Sequence, residues 1–172
     1  MPVSEASSRV VYNAMKAAGV RLISALPETW LVHLIRMADA DPEMILVRVA
    51  KEEEGVGISA GAHFAAMRSA LLMQNHGYLQ SINGIVSLAL LYKIPLLMLI
   101  SDRGYLGERD PWQTEGGKFT RRMLDGLNIV RDDLVRREEV EGKMARAMTL
   151  AQSSLSPVAL LLTRDLMWEE AA

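Results

Sequence analysis

The chain has 172 residues, 50% of them hydrophobic and 23% charged. That is the size and balance of one globular domain with its own core, and it excludes a disordered or fibrous chain. Nineteen basic residues stand against 21 acidic ones, for a net charge of -2, so no basic field exists to hold a phosphate backbone and a nucleic-acid partner is not expected. With no cysteine present, a disulfide framework, a thiolate metal site and a cysteine nucleophile are all excluded.

The first residues lack the basic-then-apolar pattern of a secretory signal. The most apolar stretch, residues 85–100, is broken by Lys93 and Pro95, which is too short and too interrupted for a membrane span. A cytoplasmic protein without a membrane segment is the expectation. Apolar residues at helical spacing predict a helix over residues 7–18, stopped by Gly19. Residues 21–26 read as a strand ended by Pro27, and residues 28–38 as a helix. Residues 44–49 are rich in β-branched side chains and read as a second strand, followed by a helix over residues 52–67. Residues 69–73 form a third strand. Residues 81–92 read as an apolar helix expected to be deeply packed, and residues 96–100 as a strand of the buried parallel kind. A long polar loop is expected over residues 102–117, then a helix over 118–126, a short strand at 128–130, a helix over 138–153 and a last strand over 157–162. Strands alternating with helices predict an α/β fold, three-layer αβα, around a mostly parallel sheet, with the whole chain (1–172) as one domain.

Such sheets bind ligands beyond the carboxyl ends of their strands, and four polar or glycine-bearing turns fall there. They are Leu26-Pro27-Glu28, Lys51-Glu52-Glu53-Glu54-Gly55, Gln74-Asn75-His76-Gly77 and Ser101-Asp102-Arg103-Gly104. Glu53 and Glu54 suit the first turn of a helix, where acids favour the dipole. Glu52 stands at the turn itself, where a partly buried carboxylate can share a proton with a ring nitrogen. Gly57 and Gly61 lie four apart on one helix face, which should meet another helix, a subunit or a ligand. His76 reads either as a polar turn residue or as a proton donor toward a substrate oxygen. Neither a G-x-G-x-x-G nor a G-x-x-x-x-G-K-[ST] phosphate loop occurs, and no spacing suits a metal. The edge reads as half of a cofactor site.

The segment from Glu52 to Gly61 resembles the helix-opening segment of the pyrimidine-binding domain of thiamine diphosphate enzymes. The likeness runs on through Leu72 to Gly77, Ser81-Ile82-Asn83, Ser87-Leu88, Tyr92 to Leu97 and Ser101 to Gly104. Together these are similar to the sulfopyruvate and phosphonopyruvate decarboxylases, with the span of a separate α subunit. The resemblance implies the thiamine diphosphate-binding fold and a cofactor-dependent carboxy-lyase acting on a 2-oxoacid, with sulfopyruvate first, phosphonopyruvate second and another 2-oxoacid third. In that family a glutamate contacts the aminopyrimidine nitrogen and so activates the thiazolium carbon. The alignment puts Glu52 in that role, or Glu53 if it slips by one. By the same resemblance Pro27, Glu28, Asn75 and Gly77 border the cofactor. Asn75, His76, Arg103 and Gln113 face the substrate, His76 as a second catalytic group. Gly107, Glu108 and Asp110 belong to the mobile loop after the Arg-Gly turn, an alternative role for Arg103 being to anchor that loop.

The family's diphosphate and magnesium half-site carries a Gly-Asp-Gly sequence with a downstream asparagine. Here the nearest string is Leu124-Asp125-Gly126-Leu127-Asn128, without the first glycine or the spacing. The resemblance therefore implies a second, β chain that holds magnesium and the diphosphate, in a hetero-oligomer with this one. This chain also departs from the family's Gly-Leu-Gly-Asn where it has Gly77-Tyr78-Leu79-Gln80, which leaves the particular 2-oxoacid open. A non-catalytic assembly or regulatory subunit of the same fold is the reading of another class.

Overall fold

The structure, a computed structural model, describes residues 3–169. Six parallel strands form one sheet in the order β2-β1-β3-β4-β6-β5. They are β1 (Leu22–Ala25), β2 (Ile45–Arg48), β3 (Ser69–Gln74), β4 (Leu96–Ser101), β5 (Val130–Leu134) and β6 (Pro157–Leu162). One face packs against α1 (Glu5–Ala17), α2 (Val32–Ala40) and α7 (Arg137–Ser154). The other carries α3 (Glu52–Phe64), α4 (Asn75–Gln80), α5 (Ile82–Gly84) and α6 (Pro111–Gly126). A short α8 (Arg164–Met167) follows β6. This is the three-layer α/β arrangement that the alternation of elements implied.

Alternate residues of the central strands serve opposite cores. Ala70, Leu72, Leu97, Leu99, Val158 and Leu160 belong to the first. Leu71, Met73, Met98, Ile100, Ala159 and Leu161 belong to the second. Burial on both faces is why β3, β4 and β6 read as unbroken apolar runs. From β1 the sheet grows outward to β2 on one side and to β3 and β4 on the other. The carboxyl ends of β1 and β3 therefore flank a topological switch point, the place at which sheets of this kind bind ligands.

Several boundaries differ from the sequence reading. α6 begins at Pro111, inside the expected loop, because Asp110 and a proline at the first helical position start a helix whose inward face, Gln113, Gly116, Gly117 and Thr120, carries no apolar stripe over its first turns. Residues 75–80, read as a turn, are helical. Residues 29–31 form a 3₁₀ turn before α2. The last strand-like segment before α7 is Val130–Leu134 rather than 128–130; its charged residues suit an edge strand and hide the pattern.

The expected deep packing of residues 81–92 does not hold. The segment is α5 followed by a π-helical stretch, Ile85–Leu90, in which Ile85 and Ala89 are buried while Val86, Leu91 and Tyr92 are exposed. The Ser87 hydroxyl bonds back to the Asn83 carbonyl there, a side-chain competition with the helix ladder. Among the described residues, and apart from its own helix backbone and chain neighbours, nothing lies within 4 Å of a Cβ built on Gly57 or Gly61. The close approach in α3 is instead at Gly55, which is pressed onto Leu71 and Ser24.

Candidate functional site

The three glutamates that open α3 part company. Glu54 turns back to accept from the Ala50 and Lys51 backbone N–H groups, a capping role. Glu53 reaches α5, where the Asn83 amide donates to its Oε1 and its Cγ lies against Gly84. Glu52 turns inward and is 3% exposed. It lies across Gly77: a Cβ there would stand 2.5 Å from Glu52 Cγ and nearer still to its carboxyl group. Only glycine at 77 leaves the carboxylate this seat. The slip to Glu53 is disfavoured by the same geometry, since Glu53 faces away from the switch point.

Asn75 opens α4 and is fully buried. Its Nδ2 donates to the Arg103 carbonyl at 2.9 Å, while its Oδ1 is buried without a partner among the described residues. The buried Ser101 hydroxyl faces the Glu28 carboxylate and helps to hold its charge. The Ser24 hydroxyl is also buried without a partner among the described residues. Such groups cost on the order of 1–3 kcal/mol each when unpaired, so their gathering at the strand ends marks an edge with unspent hydrogen-bonding capacity. Ser24, within an apolar strand, was not singled out in the sequence; Ser101 was read as opening the polar turn after the fourth strand and proves to be that strand's last residue.

Glu28 caps the 3₁₀ turn, accepting from the Trp30 N–H at 2.9 Å. Burial pushes its carboxyl above the ordinary range, and the Glu52 charge adds to this; the Trp30 N–H and the Arg103 charge pull it partly back. Pro27 is exposed beside it. Glu28, Glu52 and Arg103 thus share one electrostatic neighbourhood.

His76 and Gln113 come together from α4 and α6, with His76 Nδ1 3.0 Å from Gln113 Oε1. With the amide oxygen as acceptor, Nδ1 carries the proton and Nε2 is left as a base or acceptor. The ring rests on Gly116, where a Cβ would stand 2.5 Å from Nε2. Gly116 had no signal in the sequence beyond its type.

Arg103 is 7% exposed and already occupied. Its Nε donates to Glu108 at 2.9 Å and its Nη2 to Asp110 at 2.7 Å, and it lies 5.4 Å over the Trp30 ring. Burial alone would raise the Glu108 carboxyl, but Arg103 and the Gly104 and Asp110 N–H groups outweigh it and hold the group down at about 2. Arg103 therefore clasps the loop that follows it, the alternative to gripping an anionic substrate. Tyr78 is 0% exposed within the second core, so the departure at this position alters core packing and not the switch point. Among the described residues no group of three or more His, Asp or Glu side chains is placed to hold a metal ion, and no helix is long and apolar enough to cross a membrane.

No family model matches the chain. It is 43% identical over 123 residues to the sulfopyruvate decarboxylase subunit alpha of Methanothermobacter thermautotrophicus, covering 72% of this chain and 74% of that one. It is 35% identical over 163 residues to the protein of the same description from Methanococcus maripaludis, covering 95% and 97%. The phosphonopyruvate decarboxylase of Streptomyces viridochromogenes is 30% identical over 108 residues, 62% of this chain but 27% of that protein. In three dimensions the chain is similar to a 2-oxoglutarate:ferredoxin oxidoreductase from Magnetococcus marinus, with a TM-score of 0.68 and 15% identity over 94% of this chain. It spans 29% of that much longer protein, and the likeness is one of fold.

Proposed function

The chain belongs to the sulfopyruvate decarboxylase subunit alpha family, and from that premise we propose that it is the pyrimidine-binding half of a thiamine diphosphate-dependent 2-oxoacid decarboxylase. The reaction is loss of carbon dioxide from sulfopyruvate to leave sulfoacetaldehyde. The whole chain serves as one domain in this reading. The observation that carries it is the buried Glu52 carboxylate laid across Gly77 at the switch point.

The residues present fit such a cofactor. A seat that a Cβ at 77 would fill, the unpaired buried Oδ1 of Asn75 and the buried Glu28 carboxyl group lie at the strand ends with Glu52. Glu52 would hold a proton at the pyrimidine ring nitrogen, with Glu28, Pro27, Asn75 and Gly77 walling the ring. When bound, thiamine diphosphate supplies the electron sink for the carbanion that decarboxylation leaves. His76, held by Gln113 through its Nδ1–H, would donate to a substrate oxygen as the imidazolium, whose Nε2 also carries a proton. Arg103 acts by holding the loop that follows it.

The diphosphate and magnesium belong to a β subunit in this proposal, because the chain has no phosphate loop. The open Gly57 and Gly61 face of α3, next to the exposed Val86, Leu91 and Tyr92, supports a docked partner chain.

The test is carbon dioxide release from sulfopyruvate by this chain co-purified with its partner, with thiamine diphosphate and magnesium. Glu52→Gln should lower turnover by roughly 10²–10⁴-fold, the range for a positioned acid–base group, with assembly retained. Unchanged turnover would end the catalytic assignment and favour an assembly subunit. Phosphonopyruvate is the second reading, favoured by the Streptomyces relative; it takes precedence if the loaded complex releases carbon dioxide from that acid and not from sulfopyruvate.

A further inference from the structure

A cavity of about 200 Å³ opens beside the loop after β4, walled by Arg103, Glu108, Arg109, Asp110, Arg164 and Trp168 among others. Three guanidinium groups and two carboxylates face it. Both carboxylates are spent on Arg103, at 2.9 and 2.7 Å. Arg109 and Arg164 make no ion pair and no side-chain hydrogen bond among the described residues. The cavity keeps a surplus of positive charge on two side chains with unused donors.

Arg164 is held in position for a ligand. Its guanidinium carbon lies 4.7 Å over the Trp168 ring. Its Cδ and Nε pass 3.1 and 3.2 Å from the place of a Cβ on Gly107, which sits at a φ of +84°. A stacked guanidinium loses less freedom on binding than a solvated one, and its planar fork matches two oxygens of one anion. The Trp168 indole N–H is itself buried, with no acceptor among the described residues, and is not open to the cavity. Against the two free guanidinium groups stands one unspent acceptor, the Asp110 oxygen that Arg103 does not take.

We infer that this cavity binds a small tetrahedral oxyanion, a sulfonate, phosphonate or phosphate, with Arg164, stacked on Trp168, as the main ligand and Arg109 as the second. The anion has two possible sources. One is a free oxyanion. The other is the anionic tail of the substrate, a source that rests on the decarboxylase reading above; in that case Arg164 takes the role that Arg103, already paired, does not fill. The binding site itself requires neither cofactor nor partner chain, so it stands or falls separately from that reading.

The chain has three tryptophans, Trp30, Trp112 and Trp168, so the three indole N–H resonances of the ¹⁵N-labelled full chain report binding without activity. Sodium sulfate and 3-sulfopropanoate (the sulfopyruvate skeleton without the oxo group) are titrated separately. A saturable shift of the Trp168 resonance is expected, with the exposed Trp112 unmoved. Arg164→Ala should weaken the response about tenfold or more, the scale of a lost charge-assisted hydrogen bond. Arg164→Lys should weaken it less, and Arg109→Ala a few-fold. Arg109 is exposed, so its variant keeps the test alive if Arg164→Ala does not fold. Binding of 3-sulfopropanoate at least tenfold tighter than sulfate supports the site and assigns it to the substrate tail, whereas equal binding supports it as a free-oxyanion site. A non-saturating drift shared by all three indoles, or wild-type affinity in both alanine variants, overturns the inference.

Discussion

Replacing Gly77 by alanine perturbs the one contact that seats Glu52. The added Cβ would stand 2.5 Å from Glu52 Cγ, where ordinary contact begins at 3.4 Å. Cγ must therefore withdraw by roughly 0.9 Å and the nearer carboxyl group by just over 1 Å, an overpacking that costs about 1–3 kcal/mol in a filled site. Against this, alanine gains about 1 kcal/mol over glycine within α4. The net loss is about 1 kcal/mol, or roughly 2–4 °C in Tm for a chain of this length. Urea denaturation in two backgrounds isolates the contact. Beside the native Glu52, Gly77→Ala should destabilise; in a Glu52→Ala background the clash is gone and the same change should stabilise by about 1 kcal/mol. Turnover of the assembled complex should fall by about 10²-fold in Gly77→Ala, since a displacement near 1 Å has that effect on a positioned group. Equal destabilisation in both backgrounds would refute the seat, and full turnover would refute its catalytic use.

Gly104 has a φ of +76°, and a Cβ there would stand 2.8 Å from the Gln113 carbonyl carbon and 2.9 Å from the Gly117 nitrogen. Gly104→Ala should cost about 3 kcal/mol from strain and a backbone clash together, read by thermal unfolding. The Glu108 carboxyl is depressed in the folded chain, so its stabilisation is present above its ordinary value of 4.5 and is lost as pH falls toward about 2. Stability measured from pH 6 down to 2 should fall less steeply in Glu108→Gln than in the native chain. Gly61→Ala meets open space on an exposed helix face. In the isolated chain it should stabilise by about 1 kcal/mol. In the complex it should weaken association, measured by sedimentation; unchanged association would place the partner elsewhere.

The strands were legible where both faces are buried. β4 and β6 carry unbroken apolar runs, and the polar turns after β1, β2, β3 and β4 stood out by contrast. The placement of Glu52 at the start of α3 and of Asn75 and His76 after β3 followed from those runs. Helix and strand limits were lost where composition conflicts with local signals. The first turns of α6 look like a loop because their buried face is Gln113, Gly116 and Gly117 rather than apolar, and β5 is disguised by Arg131, Asp132 and Asp133. The apolar segment 85–92 was misjudged for the opposite reason. Apolar side chains on every side predict full burial, whereas here only Ile85 and Ala89 meet the core within this chain.

The linear chain by itself determined the alternation of elements, the parallel sheet, the polar strand ends and the lack of a phosphate loop. These depend on periodicity and residue type over a few positions. Tertiary structure alone decided which of three adjacent glutamates turns inward, that Gly77 is its seat, that Gln113 holds His76, and that Arg103 is paired while Arg164 is not. Apart from the Arg103 pairing, whose acids Glu108 and Asp110 lie in the loop directly after it, these join groups distant in the chain. Their meeting is set by the order and register of the strands, and no local preference of either residue encodes its partner.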